Sequence, residues 1–457
     1  MKTTRRNILG LGGLGLGATV AGPWVAAAAG TVTEPGRQVS IAGNADVIVC
    51  GAGPAGVSAA VAAARRGVRV LLLEGQGCLG GIWTAGMLSW MLDYRNKAGL
   101  MRELLERLAK AEGLARDQRG VPTNGYDVEV MKITLEALCT EAKVRIQLHT
   151  RVCAAIKDNE GRLTHVLTES PSGREAFAGR VFVDCTGLGD LGALAGCGFD
   201  FGHPETGRGQ PMSLMALVAG IRADEVGAFY RDDDTADWAK PKDTLRSEME
   251  RGGHSPSYAK PTLFRIRDDL FALMANHEYD ARGTNAREMT RATLHARAEL
   301  HHLITGLRSL GGVWKNVRLV ATAAQIGVRE GRRIRGLYAV SSDDLREGRE
   351  HPDAVCKVTF PVDVHATDAT KGKGIERSPF LAKPYDIPMR ALIAKDVTGL
   401  MMAGRCISGD FVAHASYRVT GNAVAMGEAA GKVAAVAAAT RRLPQAVGSD
   451  EWRESSR

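Results

Sequence analysis

From residue 44 onward, the apolar and polar positions fall into strand and helix periods in a readable order. Val47 to Cys50 is a short apolar run, an Ala-rich stretch of helical length follows Gly56 as far as Gly67, and Val68 to Leu73 is a second apolar run closed by Glu74. The three together predict a βαβ unit. Leu104, Leu105 and Leu108 predict an amphipathic helix over 100–115, and a second helix over 128–142 leads into a strand over 144–148. TRVCAAI, with the turn residues Asn159, Gly161 and Gly173 behind it, predicts a small β-meander whose last strand, 181–184, runs into Thr186, Gly187 and Asp190. From Gly198 to about Pro388 this rhythm is lost, except for a long helix over 288–310 with Leu300, Leu303, Ile304, Leu307 and Leu310 on one face. Order returns with a strand over 399–403, the passage Gly404 to Asp410 and an Ala-rich helix over 422–440. The pattern predicts an α/β chain: a parallel sheet with a β-meander built from 44–200 and 389–442, an α+β substrate domain inserted over 201–388, and a tail over 443–457.

The turn of the first unit carries chemistry. Gly51, Gly53 and Gly56 stand in GxGxxG spacing with Pro54 and Ala55 between them. Gly51 suits the tight turn, Gly53 lets backbone approach a pyrophosphate, and Gly56 lets helix pack on strand. The helix start then offers N–H groups and a positive dipole end to phosphates, and Glu74 stands where a carboxylate accepts from a ribose diol. A dinucleotide site is therefore expected here. Gly187, Gly189 and Gly192 repeat the spacing, but no second strand with a terminal acid follows. Gly80 and Gly81 give a further backbone loop able to pass close to a cofactor.

Composition narrows the class. The chain has 457 residues with 45% hydrophobic content, enough for two domain-sized cores. The formal charge is +8, of which Lys2, Arg5 and Arg6 supply three, and aromatics are 5%, so neither a phosphate-tracking stripe nor a base-stacking platform is visible. Nucleic acid is not an expected partner. The eight cysteines include no CxxC, which leaves zinc and dithiol chemistry unsupported, and no metal site is expected; His295, His301 and His302 read as a solvated helix face. Residues 1–29 set a basic start before a Gly-rich apolar run and small residues at 26–29, the form of an export signal, and TTRRNILG resembles the twin-arginine type. The resemblance implies passage through the twin-arginine translocase and a periplasmic or otherwise exported protein; an uncleaved anchor is the alternative. Gly10, Gly12 and Gly15 also spell GxGxxG, but no strand precedes them.

Three separated motifs, the opening βαβ, DCTGLGDLGALAG and GLMMAGRCISGDFVAHASYRVTGNAVAMGEAAG, resemble the FAD-dependent oxidoreductases of the glutathione-reductase-like fold. QIGVREGRRIRG and PVDVH add a resemblance to a large bacterial family named FAD-dependent oxidoreductase, over about 46–439. The resemblance implies a Rossmann-like FAD-binding domain. It implies cofactor contacts from Gly51, Gly53, Pro54, Ala55, Gly56, Glu74, Gly80, Gly81 and Val152. It extends them to Thr186, Gly187, Asp190, Gly404, Arg405, Asp410, Gly421, Asn422 and Ala423. The last motif also resembles succinate dehydrogenase and fumarate reductase flavoproteins, with His414, Arg418, Gly421, Asn422 and Ala423 at the family's spacings. That implies His414 as a base or substrate ligand and Arg418 as an anion clamp, while Arg405 replaces an acidic residue. His365 closes PVDVH, where a place facing the flavin is open. Arg329, Glu330, Arg332 and Arg333 read as an ion-pair network bracing the substrate domain.

The expected activity is that of an exported FAD dehydrogenase, exchanging hydride between a small polar organic substrate, with anions among the candidates, and flavin N5, with a separate electron donor or acceptor. A flavin monooxygenase or oxidase and a non-catalytic FAD-binding envelope protein are the alternatives.

Overall fold

The structure is a computed structural model that describes residues 30–117, 119–231, 238–370, 372–376, 378 and 380–453. The signal-peptide expectation at 1–29 lies outside the described residues, and 30–39 run as exposed coil. The described residues from Ser40 onward form one compact unit.

The predicted βαβ is present as β1 (Ile41–Cys50), α1 (Pro54–Ala64) and β2 (Val70–Leu73). β1 pairs in parallel with β2 and with the strand Gly173–Asp184, which pairs in parallel with Leu400–Met402; β2 pairs in parallel with Arg145–Gln147. The strands Arg151–Lys157, Leu163–Ser170 and Gly173–Asp184 form the antiparallel meander on the same seven-stranded sheet. Val47, Ile48, Val49 and Cys50 are fully buried, as expected for a strand covered on both faces.

The long helix Thr420–Thr440 is apolar enough to cross a membrane by composition, yet most of it is buried inside the protein. Its Ala and Gly side lies on α1: a Cβ at Gly427 would sit 2.1 Å from Ala55 O, and one at Gly431 2.1 Å from Ala59 O. Near-contact of two backbones explains why both helices are so rich in small residues.

A second, four-stranded antiparallel sheet is ordered Thr262–Arg267, Leu270–Met274, Ala216–Ala219, Arg318–Thr322. Its core joins Trp90 to residues from Met212 to Val328, and the helix Ala286–Ser309 covers it with Leu300, Leu303, Ile304 and Leu307. Ile334, Val358, Val364, Tyr385 and Ile387 pack instead with the first core, so the second core is narrower than the 201–388 span.

Some element ends differ from expectation. The helix predicted over 100–115 stops at Lys110, because Gly113 N–H bonds back to Leu108 O and Leu114–Arg116 pairs with Pro122–Tyr126 as a hairpin. The last helix begins at Thr420 and is preceded by a separate short helix, Phe411–Tyr417.

Candidate functional site

The carboxyl ends of β1, β2, Gly173–Asp184 and Leu400–Met402 open onto a cavity of about 480 Å³ lined by Gly51, Gly53, Pro54, Ala55, Glu74, Gly81, Val152, Thr186, Gly187, Asp190, Gly404, Arg405 and Ala423. That volume lies within the range of ligand sites. At its floor Gly51 has φ 92°, and a Cβ there would sit 2.6 Å from Cys185 O, so only glycine makes this turn. Gly53 is different: its φ is −68° and a Cβ would meet nothing within 4 Å, so its bare backbone leaves space for a ligand. α1 starts beside it with no side-chain cap, and Pro54 at its first turn has no N–H to satisfy.

Glu74 reaches back across this turn. Its Oε2 accepts from Ala52 N at 2.6 Å and its Oε1 from Gln76 N at 2.8 Å, while the carboxylate still lines the cavity with lone pairs to spare. The second glycine repeat stands opposite. Thr186 Oγ1 donates to the buried Asp184 at 2.7 Å, and Arg405 lies flat on the turn, with its Cζ 2.7 Å from where a Gly187 Cβ would be.

Five expected cofactor residues sit elsewhere. Gly56 is a packing contact, since its Cβ would fall 1.8 Å from Gly51 O. Gly80 turns the chain with φ 104° against Thr84 and Leu135, and Gly421 abuts Asp93 O. Asp410 caps the Phe411–Tyr417 helix through Ala413 N and also accepts from Ser342 N, so both its oxygens are used structurally. Asn422 is fully buried with no side-chain partner among the described residues and does not line the cavity.

A second lobe of about 120 Å³ continues from the first past Ile82, Arg405, Arg418 and Thr420. Its wall is apolar at Leu88, Trp90, Leu92, Met215, Met274 and Val328, and charged at Arg329, Asp363, Arg405 and Arg418. Arg418 donates from Nη2 to Asp363 O at 2.8 Å and stands 3.3 Å from Asp363 Oδ2. Arg329 donates from Nη1 to Pro211 O at 2.7 Å and Ser213 Oγ at 2.9 Å. Nε of Arg405, Nε of Arg418 and Oγ1 of Thr420 are buried without a protein partner among the described residues. Burial lowers all three guanidinium pKa values, Arg329 to about 10 with the Arg418 charge adding to the effect. Arg329 and Arg418 act on the Asp363 carboxylate, and Arg405 shares the wall with them.

Expectation and structure part at the histidines. His414 does not reach either lobe: its ring is fully buried, 3.9 Å from Glu330 Oε1, and burial followed by the charges of Arg333, Arg418 and Arg405 drives its pKa far down. It stands behind the wall as a neutral ring, so substrate contact is corrected to a place in the second layer. His365 is also behind the wall, with its Nε2 3.3 Å from Asp363 Oδ2. Nor is the Arg329 to Arg333 segment one network. Arg333 pairs with the buried Glu330 and Arg332 with Asp190 at 2.9 Å, whereas Arg329 faces the second lobe. Arg329, read from the sequence as part of an ion-pair network, thus lines the second lobe together with Asp363 and Thr420, which sequence reasoning passed over. Asp363 lies inside the PVDVH motif and Thr420 abuts Gly421, signals that were present but undirected. Among the described residues the one group spaced for a metal is Glu278, His295 and Glu299, outside both lobes and already tied up by bonds from His295 to Glu278 and from Ser257 to Glu299.

Residues 46–455 match the family model described as FAD dependent oxidoreductase. No curated protein matches the chain. Solved structures similar to it include a geranylgeranyl bacteriochlorophyll reductase-like protein from Thermoplasma acidophilum, at 14% identity over 90% of this chain and 80% of that one, TM-score 0.44. A flavin-dependent brominase is similar at 14% identity over 87% and 80%, TM-score 0.46. The myxobacterial chondrochloren halogenase is similar at 13% identity over 90% and 77%, TM-score 0.45.

Proposed function

The chain belongs to the FAD-dependent oxidoreductase family, and from that premise we propose that it is an exported dehydrogenase for a small anionic organic substrate. It is a flavin enzyme with FAD as cofactor and a small molecule as substrate. This excludes the non-catalytic alternative.

The residues present fit FAD. The glycine turn with its open Cβ space at Gly53, the uncapped start of α1 and Glu74 suit a pyrophosphate and ribose, and the orphaned Nε of Arg405, Nε of Arg418 and Oγ1 of Thr420 are donors aimed where a flavin and substrate would meet. When bound, FAD supplies the acceptor or donor of hydride. Arg329, Arg405 and Arg418 bind and orient a carboxylate, the guanidinium fork giving two parallel hydrogen bonds. The apolar wall from Leu88 to Val328 excludes water, which strengthens each of these contacts. Asp363, held as a carboxylate against Arg418, accepts a proton at its oxygens and passes it on. Arg418 keeps the anion-clamp role we infer for it, and His414 and His365 act from behind the wall.

The observation that carries this reading is the cluster of three half-buried guanidiniums in the second lobe, two of them, Arg329 and Arg418, acting on the Asp363 carboxylate. Export by the twin-arginine route, a periplasmic site, a separate electron acceptor or donor, kinship with the succinate dehydrogenase flavoproteins and the discontinuous division at 201–388 belong to the same proposal, supported by the residue patterns that suggested them. To test it, purified holoprotein is mixed anaerobically with hydroxy acids, dicarboxylates and neutral sugars while the flavin band is followed. Bleaching by a carboxylate, with Arg418→Ala weakening its binding about a hundredfold, as loss of a buried charge-assisted pair implies, is the expected result. Bleaching by neutral sugars alone would remove the anion from the proposal, and rapid NADPH oxidation would replace the dehydrogenase with a monooxygenase.

A further inference from the structure

Behind the second lobe stands a row of polar side chains that cofactor binding does not use. Asp363 lines the lobe, and its Oδ2 lies 3.3 Å from His365 Nε2. His365 Nδ1 is 3.1 Å from His277 Nε2, and His277 Nδ1 is 3.2 Å from the Tyr279 hydroxyl. His365 is 4% exposed and His277 2%, whereas Tyr279 is half-buried. Four side chains from two distant stretches therefore run without a gap from the lobe toward solvent.

A single charge fixes where the hydrogens lie. Burial opposes ionisation of Asp363, yet His365, Arg418 and Arg329 outweigh it and hold the carboxyl well below the usual carboxylate range. Burial, then the Arg329 charge, pushes His365 down to about 4, and the same two causes push His277 well below its ordinary value. Around them stand Arg329, Arg418 and the Tyr258 ring, whose centroid is 4.2 Å from that of His277, with Gln210 Oε1 accepting the backbone N–H of His365. Both imidazoles are neutral at pH 7. A carboxylate only accepts, so His365 must donate from Nε2 and accept at Nδ1. His277 must then donate from Nε2 and accept at Nδ1, where the Tyr279 hydroxyl donates. Every hydrogen in the row points inward.

We propose that Asp363, His365, His277 and Tyr279 form a proton relay between the substrate side of the second lobe and solvent. It rests on the FAD dehydrogenase reading, in which a proton must accompany each hydride. In the reducing direction a bound flavin would supply the hydride to a substrate double bond, and the Asp363 O–H gives the proton. As Asp363 takes that proton from His365 Nε2, His365 Nδ1 takes the one on His277 Nε2 and His277 Nδ1 takes the hydroxyl proton of Tyr279, all together, so that neither ring becomes an anion. Water gives a proton to Tyr279 and leaves as hydroxide, and each ring, now carrying its hydrogen on Nδ1, rotates and exchanges that hydrogen with water to regain the Nε2–H tautomer before the next turnover. The substrate gains two electrons and two hydrogens; the relay ends unchanged. Substrate oxidation runs the same transfers in reverse.

The experiment is nitrogen NMR of holoprotein carrying 15N-histidine, with the His277 and His365 signals assigned by substitution. Both rings are expected as Nε2–H tautomers at pH 7, and Nδ1–H on either overturns the relay. In Asp363→Asn the directing charge is gone, so His277, which does not touch residue 363, is expected to move to a mixture of tautomers. An unchanged His277 ring in a folded Asp363→Asn protein also overturns it. In Tyr279→Phe, with the carboxylate that bleaches the flavin, reduction should slow at least about tenfold with KM unchanged and an altered solvent isotope effect. An unchanged rate and isotope effect there rejects the relay. If no carboxylate bleaches the flavin, the anion-binding proposal fails while the tautomers still decide the relay.

Discussion

Glu330 and Arg333 show what burial does to an ion pair. Both side chains are almost inaccessible, and burial raises the Glu330 pKa against the pull of Arg333. Removing only the cation leaves a buried carboxylate without its partner, which costs about 3–5 kcal/mol. Arg333→Met is therefore expected to lower the unfolding free energy by that amount in urea titrations at pH 7, with a smaller loss in an Arg333→Met, Glu330→Gln double variant. His365 gives a pH dependence. Its folded pKa of about 4 lies below the value of 6.5 it has when unfolded, so the unfolded chain binds the extra proton between those values. The sign follows: its contribution is full above about 6.5 and is lost as pH falls toward 4. Glu278, raised to about 7 by burial, runs the opposite way, so the total hides the effect. The difference in stability between wild type and His365→Asn should shrink by roughly 3 kcal/mol from pH 7 to pH 4, at 1.36 kcal/mol per unit. A difference independent of pH would mean that His365 titrates normally. At this scale the sequence was least legible: Arg329, Arg332 and Arg333 stand together in the chain but point to a cavity, an aspartate and a buried glutamate, because an irregular segment sends successive side chains in unrelated directions.

At the scale of elements, two glycines that look alike in sequence should behave in opposite ways. Gly427 lies where the last helix meets α1, and a Cβ would overlap Ala55 O at 2.1 Å, an atom of backbone that cannot swing aside. Gly427→Ala is expected to lower stability by about 1–3 kcal/mol or more and to depress the melting temperature of the apoprotein. Gly53 has ordinary dihedrals and open space around it. Gly53→Ala should leave apoprotein melting unchanged and weaken FAD binding about tenfold or more, as measured by flavin fluorescence quenching, because the added methyl occupies ligand space. The βαβ unit was readable because apolar period, glycine spacing and a terminal acid all point to one structure. The helix ends at Lys110 and Thr420 were not. The first is set by a hairpin formed with Pro122–Tyr126, the second by a break at Arg418 and Val419 that divides one apolar run into two helices. Both depend on contacts distant in the chain, which periodicity does not carry.

The cavity joins pieces from nearly the whole chain: Gly51 to Ala55, Glu74, Thr150 to Val152, Cys185 to Asp190, Gln325, and Ala403 to Ala423. A ligand that touches all of them is bound by the folded state alone, since the unfolded chain cannot bring these segments together. FAD should therefore act as a stabiliser through mass action, adding about 2.7 kcal/mol when free FAD stands at a hundred times its Kd. The dependence is logarithmic, so each further tenfold in FAD adds about 1.4 kcal/mol. Thermal unfolding of apoprotein across a range of FAD concentrations is expected to show the melting temperature rising steadily past saturation. Gly53→Ala should follow a parallel line displaced to higher FAD by the loss in affinity, because the substitution alters the ligand's space and leaves the packing intact. Arg333→Met should instead begin from a lower apoprotein value and gain the same increment per tenfold, since Arg333 lines neither lobe. A wild-type melting temperature that stays flat while FAD demonstrably binds would mean that the unfolded chain binds FAD as well as the folded one does, and a cavity assembled only on folding would no longer be its site.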